Sequence, residues 1–361
     1  MKRTLGSWVS FAAAFMLSTT IAVADPPARV LLPPGLAESQ LRHVNSVGEA
    51  VGRCEIFDAS QNSIADFVCL FSNELVTPLP KLEHYRKMEC SAISDSGKIV
   101  GYAYSPVRKE CPPLQAFLFD RQSTVALPLP SLSSNSASLA TAISSDGKTI
   151  AGVCDGQACV WEYNGSSWIV AALPQNAPGL STQKVCLSDS GMIAVAFQRG
   201  AKSAELVLWR RDELAAWQRS HCLETEVSPC DVNNAATIVG SKDIVLDGRL
   251  VTRGFVLRAA QDSTPQDIEL IAPFEGDNFS TARSINNQGV VVGWSDGVGD
   301  KSKWPRSFVW KGSKAQSLAV GPATSPSQAF GINDHDDVVG LLEREKDPHA
   351  VGFVLRITEM P

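Results

Sequence analysis

Ala142-Ile143-Ser144-Ser145-Asp146-Gly147-Lys148-Thr149-Ile150-Ala151-Gly152 joins two short apolar runs through a Ser/Asp-Gly turn. Asx and Ser side chains hydrogen-bond their own backbone, and Gly tolerates positive φ, so the stretch is predicted to be a tight hairpin. Two more apolar runs follow it, Ala158-Cys159-Val160-Trp161 and Trp168-Ile169-Val170-Ala171-Ala172-Leu173-Pro174. The unit therefore reads as four short antiparallel strands, the last ending in Leu-Pro.

The same turn and following strand recur along the chain. They read VNSVGEAVG from Val44, ISDSGKIVG from Ile93, ISSDGKTIAG from Ile143 and LSDSGMIAVA from Leu187. Three further copies start at Val232 (VNNAATIVG), Ile285 (INNQGVVVG) and Ile332 (INDHDDVVG). The turn glycine or its replacement falls at 48, 97, 147, 191, 236, 289 and 336, at intervals of 44 to 53 residues. Each turn is followed by an aromatic or Leu-ending strand, such as Phe117-Leu118-Phe119, Leu206-Val207-Leu208-Trp209 or Phe308-Val309-Trp310. A four-stranded unit of this size cannot bury its apolar faces alone, and repeated sheets around an axis are propeller blades. The expected fold is an all-β, seven-bladed propeller with four-stranded blades.

The chain ends favour a closed ring over an open solenoid. The last repeat stops at Phe353-Val354-Leu355-Arg356-Ile357-Thr358 without a Leu-Pro strand. Ala28-Arg29-Val30-Leu31-Leu32-Pro33-Pro34 resembles the missing strand. It is expected to supply the outer strand of the last blade, which would leave no open ring edge.

The repeats resemble the bacterial "extracellular repeat, HAF family" proteins, whose units read roughly I-N-x-x-G-x-V-V-G, a loop and H-A-F-x-W. The resemblance covers nearly all of the mature chain and implies export and a repeat fold, with no defined activity. The triplet becomes Gln115-Ala116-Phe117, Gln157-Ala158-Cys159, Arg306-Ser307-Phe308 and Val351-Gly352-Phe353, so no copy keeps the His. The Ser-Asp-Gly-Lys stretches also resemble WD40-type turns, which speaks only to blade shape.

At 361 residues the chain exceeds the size at which a single core stops growing, as a repeat architecture allows. Residues 1–24 read as a signal peptide: Lys2 and Arg3, an apolar stretch from Trp8 to Ile21, and Ala22-Val23-Ala24 before Asp25. Residues 25–361 then form one propeller domain. Cleavage removes Lys2 and Arg3 and no carboxylate, taking the formal net charge from −6 to −8. An acidic chain without basic runs does not suit nucleic acid. No later segment is long and apolar enough for a membrane span. The expected location is secreted or periplasmic, in a bacterium.

Nine cysteines and export make disulfides the favoured reading of the thiols. Candidate pairs are Cys54 with Cys69, Cys90 with Cys111, Cys154 with Cys159, and Cys222 with Cys230. Cys186 is left unpaired. His43, His84, His221, His335 and His349 share no metal-ligand spacing and are expected to be solvated or loop histidines, and Asp334-His335-Asp336-Asp337 sits where the repeat needs a turn. No C-x-x-C, H-E-x-x-H, G-x-S-x-G or phosphate loop occurs. No catalytic, cofactor-binding or metal residues are assigned and no cofactor is expected. Trp161, Trp209 and Trp310 share one repeat position, where inter-blade packing is expected.

Two function classes remain. One is a non-enzymatic interaction scaffold for a protein or glycan partner, whose variable segments, such as Tyr104–Leu114 and Gly297–Arg306, shape a binding rim. The other is a propeller-fold hydrolase or lyase acting on an extracellular polymer. That enzyme would need polar residues breaking the apolar pattern of the innermost strands. Arg42-His43 and Arg283-Ser284, before two of the turns, are of this kind.

Overall fold

The computed structural model describes residues 29–30, 36–58, 63–73, 75–174, 180–199, 203–211, 216–224, 227–258, 268–297, 305–321, 325–344 and 347–357. The leader 1–24 and most of the 28–34 strand lie outside them. The regular elements form seven four-stranded antiparallel sheets, each a blade of a β-propeller. Blade 3 shows the plan: Ser138–Ile143 innermost, then Thr149–Cys154, Gln157–Tyr163 and Trp168–Ala172 outermost. The other innermost strands are Leu36–Val44, Tyr85–Ile93, Leu180–Leu187, Ser228–Val232, Phe279–Ile285 and Ser327–Ile332.

Seven apolar clusters fill the seven spaces between neighbouring blades. Trp161, fully buried, packs with Val100 and Leu118 of blade 2. Trp209 packs with Ala151 and Val160 of blade 3, and Trp310 with Val239 and Val256 of blade 5. The recurrent tryptophans are thus core residues between blades. Leu41, Val44 and Val76 of blade 1 pack on Val339 and Val354 of blade 7, so the two ends of the repeat array meet. In blade 7 the order is Arg29–Val30, Asp347–Arg356, Asp337–Arg344, Ser327–Ile332, with Arg29 opposite Val354 and Val30 opposite Phe353.

A β-bulge interrupts every innermost strand, and its position explains a glycine of the repeat. In blade 1, Leu41 faces Gly52 and His43 faces Val51, so Arg42 has no cross-strand partner. The same irregularity falls at Ser91, Thr141, Cys230, Arg283 and Phe330. A bulge turns the strand and re-aims its extra residue. It also pushes a carbonyl against the second strand. A Cβ at Gly52 would lie 1.8 Å from Gln40 O, and one at Gly293 2.0 Å from Thr281 O.

Blade 4 proves the rule by departing from it. Val195 stands at the glycine position and pairs with Val185 without a bulge, and the irregularity moves to Gln183. In blades 2, 5, 6 and 7 the glycine faces a Phe, and at Gly340 its missing Cβ makes room for the Phe353 ring. In blade 4 a Val pair, Val195 and Val207, replaces the Gly–Phe pair. The fourth repeat is therefore a full blade with an exchanged core pair.

Cys54 and Cys69 form a disulfide across adjacent strands of blade 1. Cys69 occupies the Phe position opposite Gly52, and Cys54 lies two residues further along the facing strand. Cys159 and Cys154 have the same diagonal register in blade 3, with Cys159 opposite Gly152. Both are buried and free, and their side chains are hydrogen-bonded to each other. Burial pushes the Cys159 thiol far above its ordinary range. Cys90 and Cys111 are free thiols in blade 2, and Cys186 is free and buried. Cys230 is a free thiol, while the side chain of its candidate partner Cys222 lies outside the described residues.

Candidate functional site: the central channel

The innermost strands all run toward the repeat turns, so equivalent positions form levels around the axis. They enclose a cavity of about 900 Å³. Two levels carry its chemistry: the turns at one mouth and the bulges deeper in the channel.

At the turn level the polar side chains hold the blades together. Asn333 Oδ1 accepts from the backbone N–H of His335 and Asp337, both at 2.9 Å. Its Nδ2 donates to Asn45 O of blade 1 at 2.8 Å. Asn45 reaches Ser94 O, Asn233 reaches Asn286 O, and Asn286 reaches Asn333 O in the same way, at 3.0–3.2 Å. The next turn residue adds a second ring of bonds. Ser46 N donates to Asp95 Oδ1, Ser145 N to Asp189 Oδ1, and Asn287 N to Asp334 Oδ1, at 2.8–2.9 Å. The turn aspartates are thus inter-blade acceptors. Asp336 and Asp337 are structural too: Asp336 accepts from Asn286 Nδ2 at 2.8 Å, and Asp337 pairs with Arg356 at 2.7 Å.

One step inward lie His43 and Asp231. Burial lowers the His43 pKa to about 4, against a smaller opposing pull from Asp95. His43 is therefore not a solvated loop histidine: it follows the bulge at Arg42, lines the channel with it, and its Nδ1 accepts from Ile93 N of blade 2 at 3.4 Å. Burial raises the Asp231 pKa to about 6. Its Oδ2 accepts from Ser284 Oγ at 2.7 Å and Ile285 N at 3.0 Å, so it too clasps the next blade. Of the other histidines, His335 lies at the turn mouth and His84 sits 3.3 Å from Glu83. The side chains of His221 and His349 lie outside the described residues.

The bulge level carries Arg42, Ser91, Thr141, Cys230, Arg283 and Phe330, with the displaced bulge residue Gln183 on blade 4, and all of them line the cavity. Sequence reading singled out Arg42 and Arg283, took Cys230 only as a disulfide candidate and passed over Phe330. A signal existed: these residues stand three places before the first turn Ser or Asn, and that position varies in chemistry while its neighbours repeat. Of the two rim segments, Tyr104–Leu114 is described and holds Cys111 against the core. Positions 298–304 of the second lie outside the described residues. Among the described residues no group of three or more His, Cys, Asp or Glu side chains is arranged to hold a metal, and no helix is long and apolar enough to cross a membrane.

Sheets, ring and channel define the molecule as a seven-bladed β-propeller. No family model matches the chain, and no curated protein matches it either. Solved structures do. The β-propeller domain of the Trilobed protease from Pyrococcus furiosus, described as an open velcro propeller, superposes with a TM-score of 0.58 at 11% identity, covering 90% of this chain and 97% of that one. The acylaminoacyl peptidase of Pyrococcus horikoshii matches with a TM-score of 0.52 and 14% identity over 89% of this chain, which spans 53% of the peptidase. YCF48 bound to D1 peptide matches with a TM-score of 0.50 and 13% identity, over 94% and 99% of the two chains. At these identities the likeness is one of fold.

Proposed function

We propose that this chain is an exported, non-enzymatic binding propeller, secreted or periplasmic and akin to the HAF-type repeat proteins, that engages a protein or glycan partner at its channel and loop rim. The observation that carries the reading is how the channel's polar groups are used. The turn Asn and Asp side chains and Asp231 are bonded to neighbouring blades. Groups so engaged build a rigid ring, while a general acid or base needs a free path to a substrate proton. Ligand sites on rigid scaffolds sit in concave channels and on loops. The similar folds include one solved with a peptide and two that belong to peptidases, so fold alone does not choose between classes.

One observation favours the second reading, a hydrolase or lyase. Asp231 stays protonated up to about pH 6 inside a channel that also holds the Cys230 thiol. Incubation of the mature protein with mixed peptides and with acidic and neutral polysaccharides, followed by mass spectrometry, tests the choice. The binding reading expects retention without new chain ends. Products gaining water, or carrying an unsaturated end, would replace it with the enzyme.

A further inference from the structure

Among the described residues the two channel arginines are less well partnered than the guanidinium groups that hold tight ion pairs elsewhere. Arg356, Arg53 and Arg306 each meet a carboxylate at 2.7–2.8 Å. Arg283 meets none within 4 Å among the described residues. Among the described residues its one hydrogen-bond partner is the Cys230 thiol at 3.6 Å, and its buried Nε has none. Among the described residues Arg42 reaches Gln40 at 3.4 Å and Glu89 at 3.7 Å, and its Nε is also buried and without a partner. A guanidinium carries five donors, and leaving them unmade in a confined site is costly.

Their surroundings are already shaped. Arg283 lies over the rings of Trp294 and Phe330, 5.7 and 5.9 Å from the centroids, and those rings meet edge to face. Stacking fixes the plane of the guanidinium and leaves its edge free. Phe330, on blade 7, stands between Arg283 on blade 6 and Arg42 on blade 1 at the same bulge level. Lys184 adds a third cation to the cavity wall. The turn mouth holds Asp95, Asp189 and Asp334, so the channel is polarised, basic at the bulges and acidic at the turns. An anion would enter from the end opposite the turns.

We propose that Arg42 and Arg283 form a binding station for a carboxylate-bearing ligand, the free C-terminus of an extended peptide. This rests on the binding reading above and names its ligand. A planar monoanion suits the site: the guanidinium edges match a carboxylate fork, and Glu89 beside Arg42 disfavours a dianion. A cavity of about 900 Å³ has room for several residues behind the terminal group, and the Trp294 and Phe330 rings offer an apolar wall. The same carboxylate chemistry could come from a small free acid, which the test separates.

The test is calorimetric titration of the mature protein with a mixed-sequence pentapeptide pool, as free acids and as C-terminal amides, and with acetate and benzoate. Arg42→Lys, Arg283→Lys and the double Gln variant are compared with Arg108→Gln on the exposed rim, folding being checked by circular dichroism. The free-acid pool is expected to bind and the amidated pool to fail. Each Lys variant, which keeps charge but not the fork, loses about tenfold, and Arg108→Gln is unchanged. Binding of acetate or benzoate but not the pool overturns the peptide source. Equal binding of both pools, or an unaffected double variant, overturns the carboxylate station while leaving a binding protein. Binding of no acid at all overturns the station as well. Cleaved peptides recovered from the cell would instead overturn the non-enzymatic reading.

Discussion

The ring has two unlike arcs. From blade 5 through blades 6 and 7 to blade 1, the first turn residue is Asn233, Asn286, Asn333 and Asn45, and each side-chain amide crosses to the next blade. In blades 2 to 4 the same position is Ser94, Ser144 and Ser188, whose hydroxyls accept from their own turn, at Lys98, Thr149 and Met192. Asn has an acceptor for the turn and donors left over for the neighbour; Ser does not reach across. The displaced bulge of blade 4 lies on the serine arc. Arg283, Phe330 and Arg42 lie on the asparagine arc. The stapled side of the ring thus carries the two channel arginines, as a site that must hold groups in place requires.

Truncation gives the largest effect. Asn333→Ala strands the buried N–H of Asp337, the part-buried N–H of His335 and the blade 1 carbonyl, and is expected to cost roughly 4 kcal/mol. Ser144→Ala on the other arc removes bonds within one turn and is expected to cost about 1 kcal/mol. Urea unfolding of the two variants checks the difference. Equal losses would mean that the arcs do not differ in strength.

Much of this was legible because it repeats. The turn, the Ile/Val strand and the aromatic strand recur at a near-constant interval, and a seven-fold pattern leaves little choice of architecture. The tryptophan packing and the Cys54–Cys69 pair followed from register. The channel was harder to read. A bulge shifts side-chain alternation by one residue, so Arg42 and His43 cannot be given faces by counting in twos. The glycine after Val-Val in the repeat was the clue, since its missing Cβ is what admits the bulge carbonyl. The inter-blade bonds of the channel join residues 44 to 54 apart, or 288 apart for Asn333 and Asn45, and no local pattern announces them.

Within the asparagine arc, His43 and Asp231 respond to acid in opposite senses. His43 titrates at about 4 in the fold and 6.5 in the open chain. Its neutral burial costs nothing above pH 6.5 and destabilises progressively as pH falls toward 4, by about 3 kcal/mol. Asp231, raised from 3.8 to about 6, stabilises fully below 3.8, and that contribution is lost as pH rises through 6, again by about 3 kcal/mol. The two nearly cancel, so stability contributed by this pair is flat from pH 4 to 6.5. His43→Gln should gain stability on acidification across that window, and Asp231→Asn should lose it. Parallel slopes in the two variants would refute the opposition.

Disulfides sharpen the comparison, because one cysteine pair lies on each arc. Opening Cys54–Cys69 in blade 1 with Cys69→Ser is expected to cost about 3 kcal/mol, from the longer loop it closes. Cys154 and Cys159 share its register, and in oxidising conditions they are expected to bond and add about 2 kcal/mol to the serine arc. Peptide mapping of the oxidised protein should find a Cys154–Cys159 cross-link. Alkylation of both thiols in the native, unreduced fold would show that the arc goes without it.

The smallest effect concerns the turn apex. Glycine takes the left-handed conformation at 48, 97, 147, 191 and 289, whereas Ala236 holds φ 62° and Asp336 φ 59°. Asp336 offsets its strain by accepting from Asn286 Nδ2, but Ala236 has no side chain to do so. A Cβ in this region costs roughly 1 kcal/mol. Ala236→Gly should therefore raise stability by about that amount, and Gly97→Ala on the serine arc should lower it by as much. Thermal unfolding of both variants measures the pair. If Ala236→Gly were neutral, the side chain's burial between blades 4 and 5 would offset its strain, and the asparagine arc would tolerate a residue that the serine arc replaces with glycine at every turn.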